Sequence, residues 1–170
     1  MLVLSALAIP ANATFDGMLD QHFTAEPNFL REMMHQGIIV LCSSILAYGF
    51  SFILKAQSRF IDWLGTISMA RAPIIVSVLV MFLTPQEKLV SIPEKMANGE
   101  DVMSLFGPIE LFTLIIGGLV SFLALVYHIQ LLWQSWRTCT NRKDTLSVVL
   151  FILTIILTES ITLYLIREVL

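Results

Sequence analysis

Residues 111–136 read LFTLIIGGLVSFLALVYHIQLLWQSW, a stretch with no Asp, Glu, Lys or Arg. About 20 consecutive apolar residues are needed for a helix to cross roughly 30 Å of hydrocarbon. Three more uncharged or nearly uncharged runs flank this one: Met33–Leu54, Ala72–Gln86 and Thr145–Ile166, the last interrupted only by Glu159. Four such runs in 170 residues leave no sequence for a water-facing shell. The chain is 56% hydrophobic and 14% charged, with mean hydropathy +0.82. Soluble domains are less apolar and carry about 25% charged residues. The sequence therefore predicts an all-α, polytopic transmembrane helix bundle of four to five spans in a single domain, 1–170, with membrane lipids as its surroundings. The spans are placed at about 2–15 (partial), 37–54, 68–84, 109–133 and 146–166.

The charged residues between the runs alternate in sign. The gap 14–36 carries Asp16, Asp20, Glu26 and Glu32 against Arg31, and the gap 55–71 carries Lys55, Arg59 and Arg71 against Asp62. Between 87 and 110 stand Glu87, Glu94, Glu100, Asp101 and Glu110 against Lys88 and Lys95. The last gap has Arg137, Arg142 and Lys143 against Asp144. Lys and Arg in short loops mark the cytoplasmic side. Loops 55–71 and 134–145 are accordingly expected in the cytoplasm of a bacterial-type inner membrane, with the C-terminus outside. A net charge of −3 without a basic block argues against nucleic acid as a partner. Cys42 and Cys139 are too few and too far apart for a disulfide framework. Three readings fit the uncharged residues 1–15: a signal peptide ending near Ala13, a short or truncated first span, and a re-entrant segment.

Local patterns give candidate packing and interface residues. Phe29, Leu30, Met33 and Met34 repeat at helical spacing and predict a short amphipathic helix on the outer surface. Ser43, Ala47 and Ser51 lie four apart, and Gly117, Ser121 and Ala124 repeat similarly. Small residues at that spacing let helix backbones approach closely in lipid. Phe60, Trp63, Leu64 and Ile67 share one face opposite Arg59 and Asp62, the pattern of a helix lying in the membrane interface. Pro73 predicts an elbow after it, and Arg71 is expected to snorkel to head-group phosphates. Trp133 and Trp136 read as an interfacial aromatic belt, and His128 as an interhelical hydrogen-bonding residue.

Glu159, flanked by Thr158 and Thr162, is the candidate intramembrane polar site. It lies about 20 Å into its span from the cytoplasmic end by helix rise. A carboxylate at that depth must face protein or water. Ser43, Ser44 and Thr113 are the expected partners, whereas Arg71 differs in depth by about 12 Å. The alternative role is a proton or ion pathway through Glu159. Glu32 and His35 form one Glu-x-x-His, but di-iron carboxylate bundles need two copies plus two further Glu residues. His-Glu-x-x-His, Gly-x-Ser-x-Gly, phosphate-loop and Cys-x-x-Cys patterns are absent from the sequence. The expectation is therefore no cofactor, no metal and no enzyme.

Three stretches resemble the Yip family of Ypt/Rab-interacting membrane proteins and their bacterial relatives. They are Arg59-Phe60-Ile61-Asp62-Trp63-Leu64-Gly65-Thr66 leading through Arg71-Ala72-Pro73, the long run ending in Trp133 and Trp136, and Arg142-Lys143-Asp144-Thr145-Leu146. The resemblance covers residues 37–168. It implies a five-span, non-enzymatic protein that scaffolds or assists assembly and trafficking of other membrane components, through membrane-protein partners or self-association. A small solute- or ion-coupled transporter and a lipid-handling protein are the alternatives. The turn that marks eukaryotic members is missing, and Met1 opens inside an apolar run, so Rab binding does not carry over.

Overall fold

The computed structural model describes residues 1–24, 28–99, 101 and 105–169. The readings at Glu26, Pro27 and Glu100, and the side chains of Glu87, Pro93 and Glu94, lie outside it. Among the described residues the helices are, in order, α1 (Leu2–Ala8), α2 (Phe29–Ile53), α3 (Phe60–Ala70), α4 (Ile74–Met81), α5 (Gln86–Ala97), α6 (Pro108–Thr140) and α7 (Thr145–Val169). Between α1 and α2 two short strands, β1 (Ala13–Thr14) and β2 (His22–Phe23), pair antiparallel, with Ala13 opposite Phe23 and Thr14 opposite His22.

Four segments are long and apolar enough to cross a membrane: Phe29–Ile53, Phe60–Met81, Pro108–Thr140 and Thr145–Glu168. The protein is thus an all-α membrane bundle. α1 covers 7 residues and rises about 10 Å. It packs on α2 and α4, and the hairpin that follows turns back into the bundle.

The helices are inside out by soluble standards. α2 buries Glu32, His35, Gln36, Ser43, Ser44, Ala47 and Ser51 while exposing Phe29, Leu30, Leu41 and Ile45. α7 buries Ser147, Thr154, Thr158 and Thr162 and exposes Val149, Ile152, Ile156 and Tyr164. Lipid supplies no hydrophobic drive between helices, so polar and small side chains turn inward, where they find hydrogen bonds and close packing. The amphipathic outer helix expected at Phe29–Met34 is therefore the first turns of the α2 span. Its apolar side faces out, and the helix that carries the predicted span 37–54 begins at Phe29. Asn28 caps it by accepting from Leu30 N at 3.0 Å.

The long elements begin and end where local chemistry dictates. Asp62 accepts the amide of Arg59 (3.0 Å) at the head of α3, and Glu110 accepts that of Gly107 (2.8 Å) at the head of α6. Asn141 takes the left-handed conformation (φ 52) that closes α6, and residues 141–144 turn the chain into α7. The elbow expected near Pro73 is present: α3 ends at Ala70 and α4 restarts behind Pro73. The acidic gap after α4 contains the 12-residue α5. Lys88 on α5 ties it to α6 through Glu110 at 2.6 Å.

At the end of the bundle bearing Lys55, Arg59, Arg142 and Lys143, the helices close on aromatic rings. Trp63 and Trp136 meet edge to face with centroids 5.4 Å apart, and Phe151 packs on Trp136 at 5.8 Å. The Trp136 indole donates to Ser147 Oγ at 2.8 Å. Trp63 and Trp136 are both 1% exposed. This corrects two expectations, because neither the face containing Trp63 nor the Trp136 belt residue lies against lipid: α3 packs between α2 and α6 instead. Arg59 remains exposed at the head of α3. At the opposite, acidic end residues 9–24 enter the bundle, with Ala11, Ala13, Phe15 and Met18 in the core.

Candidate functional site: a buried polar cluster under the N-terminal segment

Residues 9–24 bring polar groups onto three helices. Thr14 Oγ1 donates to Glu32 Oε1 on α2 (2.5 Å), and Leu19 N donates to Glu159 Oε2 on α7 (3.0 Å). Ser77 on α4 donates to Gln21 at 2.8 Å. Arg167, at the end of α7, lies 3.5 Å from both Asp16 and Asp20. Gly17 makes the closest approach: a Cβ there would stand 2.3 Å from Glu159 Oε1. A side chain there would make the flexible end of Glu159 shift.

Glu159 therefore faces protein, as its depth required, but its partner is the Leu19 amide. Ser43 donates to Ile39 O on its own helix, Ser44 to Val40 O and Thr113 to Ile109 O, so none of the three bridges to it. Beside it, Thr162 donates to Thr158 O, while the Thr158 hydroxyl is buried without a hydrogen-bond partner.

Arg71 is the largest departure from the sequence reading. It is 3% exposed, and its Nε donates to Gln36 Oε1 at 3.1 Å. Glu159 acts on it electrostatically, without an ion-pair contact between the two among the described residues. It does not snorkel. Arg71 falls midway along the segment Phe60–Met81, and the α3–α4 elbow points it into the bundle, where Gln36 and Glu159 stand. Among the described residues its two terminal nitrogens have no hydrogen-bond partner. His128, fully buried on α6, does bridge helices, with Nδ1 2.7 Å from Ala70 O.

The small-residue faces are spent inside the chain. Ser43, Ala47 and Ser51 are at most 1% exposed. At Gly117, a Cβ would stand 2.9 Å from Val80 of α4. Ser121 is half-buried beside Gly117 along a cavity of about 390 Å³ between α4, α6 and the N-terminal segment. A second, wider cleft of about 1400 Å³ runs between α3–α4 and α6, floored by Gly65, Ala70, Ala72 and Ala124.

In comparisons with protein-family models, characterised proteins and solved structures, none matches this chain. The functional reading rests on its own geometry.

The sequence missed Asp16, Gly17, Leu19, Gln21 and Gln36 as parts of a site. The available signal was Gly17 between two aspartates, 15 residues before a lone Glu-x-x-His. Backbone contacts such as Leu19 N to Glu159 leave no mark in a sequence.

Proposed function

We propose that this is a non-enzymatic integral membrane protein that organises other membrane components, and that it holds them in the cleft between α3–α4 and α6. The cleft is the observation that carries the reading. Its walls expose Ile61, Met69, Val76, Leu123 and Tyr127. Its floor of Gly and Ala lets another backbone come close, and Gly65 has nothing within 4 Å of where a side chain would start. An apolar groove with a small-residue floor suits a transmembrane helix of a partner protein. The Yip-like layout supports the same organising role. The proposed orientation puts the basic end (residues 55–59 and 134–145) in the cytoplasm of a bacterial-type membrane, leaving the C-terminus outside.

A transporter using Glu159 has less support, because that carboxylate is taken by Leu19 N and Gly17 and lines none of the described cavities. Lipid handling is the second reading. The cleft shares Gln134 and Thr138 with a polar pocket of about 440 Å³ lined by Arg137, Arg142 and Lys143, a combination that fits acyl chain and phosphate.

A photo-crosslinking residue at Met69 (75% exposed) or, outside the cleft, at Ile152 separates these readings in native membranes. Adducts to a discrete protein from Met69 alone are expected. A lipid adduct specific to Met69 would favour lipid handling instead. Identical adducts from both positions would remove the cleft as a site.

A further inference from the structure

We propose that the cavity between α4, α6 and the N-terminal segment binds one acyl chain of a membrane lipid, admitted from the bilayer past Gly118 and Phe122, with the ester carbonyl at its head accepting from Gln21. The cavity, of about 390 Å³, shares no lining residue with the cleft between α3–α4 and α6. Its walls include Phe15, Met18, Ile74, Met81, Leu114 and Leu125. On α6 the lining runs from Leu114 to Leu125, about 16 Å of helix, so the space suits an extended chain.

The mouth decides where the occupant comes from. Gly118 and Phe122, one turn apart on α6, are exposed, and the other described lining residues are buried or half-buried. Gly118 stands about 10 Å inside the uncharged run that opens at Leu111. The entrance thus faces hydrocarbon. Water is a poor filling, because about a dozen molecules would fit by liquid volume against walls that offer them few partners. Left empty, the space would forfeit the packing contacts of every side chain around it. Its volume and its apolar walls with a few placed polar groups are those of a small-ligand pocket.

The polar groups choose the head of the ligand. Gln21 Oε1 accepts from Ser77 of α4, and the Gln21 side-chain amide donates to the Met81 thioether. Sulfur is a weak acceptor, so a carbonyl oxygen is a better partner for that amide. Asp20 is the charged residue among the described lining, and Arg167 already meets it. A free fatty-acid carboxylate would lie beside Asp20 with no cation of its own on the wall. A neutral ester carries no such cost.

The test reconstitutes the full chain in vesicles of phosphatidylethanolamine and phosphatidylglycerol, part of the former bearing a diazirine in one acyl chain, and maps the adducts after irradiation. Met18 and Ile74 are 4% and 7% exposed, so bulk lipid does not reach them, whereas Ile152 of α7 faces it. Adducts at Met18 or Ile74, as well as at Ile152, are expected. Gly118→Phe enters open space, since nothing stands within 4 Å of a Cβ there, and keeps the fold. It is expected to lower the interior adducts at least about tenfold, the effect of excluding as few as two methylenes, and to leave Ile152 unchanged. Gln21→Leu, and a free fatty acid bearing the same diazirine, are each expected to label the interior less than the wild-type protein with the ester. Labelling at Ile152 without Met18 or Ile74 in wild type, or interior adducts that persist in Gly118→Phe, would overturn the proposal. The wild-type arm decides alone if Gly118→Phe does not fold. Undiminished labelling in Gln21→Leu or by the free acid would overturn the assignment of the head.

Discussion

Glu159 is held by a backbone amide, a glycine and a distant guanidinium, so its neighbours are as informative as the residue itself. Gly17→Ala would push a methyl group to within 2.3 Å of the carboxylate. Moving Glu159 away forfeits its bond to Leu19 N. The expected cost is about 1–3 kcal/mol by thermal unfolding in detergent. Most of that increment should vanish in a Glu159→Ala background, because the two residues share one contact. Arg71→Ala removes the cation that Gln36 and Glu159 face, and a loss of about 3–5 kcal/mol is expected for such a broken buried charge arrangement. An Arg71 anchored at the lipid surface would lose far less. Thr158→Val, by contrast, deletes a buried hydroxyl without a hydrogen-bond partner and is expected to be neutral or stabilising in the same assay.

At the scale of elements, the membrane length rule located α2, α6 and α7, because 18 or more apolar residues leave little else to be, whereas the segment Phe60–Met81 combines α3, read as an interfacial helix, with α4. Boundaries were less legible. Glu32 fell in a predicted surface helix and His35 and Gln36 just before the predicted span, yet they are the buried face of the first turns of α2. Trp63 and Trp136 followed a sequence pattern common at interfaces, but ring-on-ring packing and the bond to Ser147 draw them inside. Sequence periodicity gives a helix its faces without saying which one meets lipid. Trp136→Ala is expected to cost about 3–5 kcal/mol, whereas an exposed belt tryptophan would cost little. Trp136→Phe, which keeps most of the ring contact and drops the Ser147 bond, is expected to fall between.

For the whole molecule, the two ends of the bundle are built differently. The basic end seals itself with aromatic rings, and the acidic end depends on residues 9–24 as a wedge between α2, α4 and α7. Almost none of that wedge was readable, since its fit comes from one glycine, several backbone amides and contacts between residues as far apart as Leu19 and Glu159. The alternating loop charges carry the proposed orientation, which puts the basic end in the cytoplasm. Single cysteines at Asn98 and Asn141, introduced after Cys42→Ser and Cys139→Ser, test this most directly with a membrane-impermeant thiol reagent on intact cells. Asn98→Cys is expected to be modified at once, and Asn141→Cys only after permeabilisation. Modification of both from the same side, or of Asn141→Cys alone, would contradict the account.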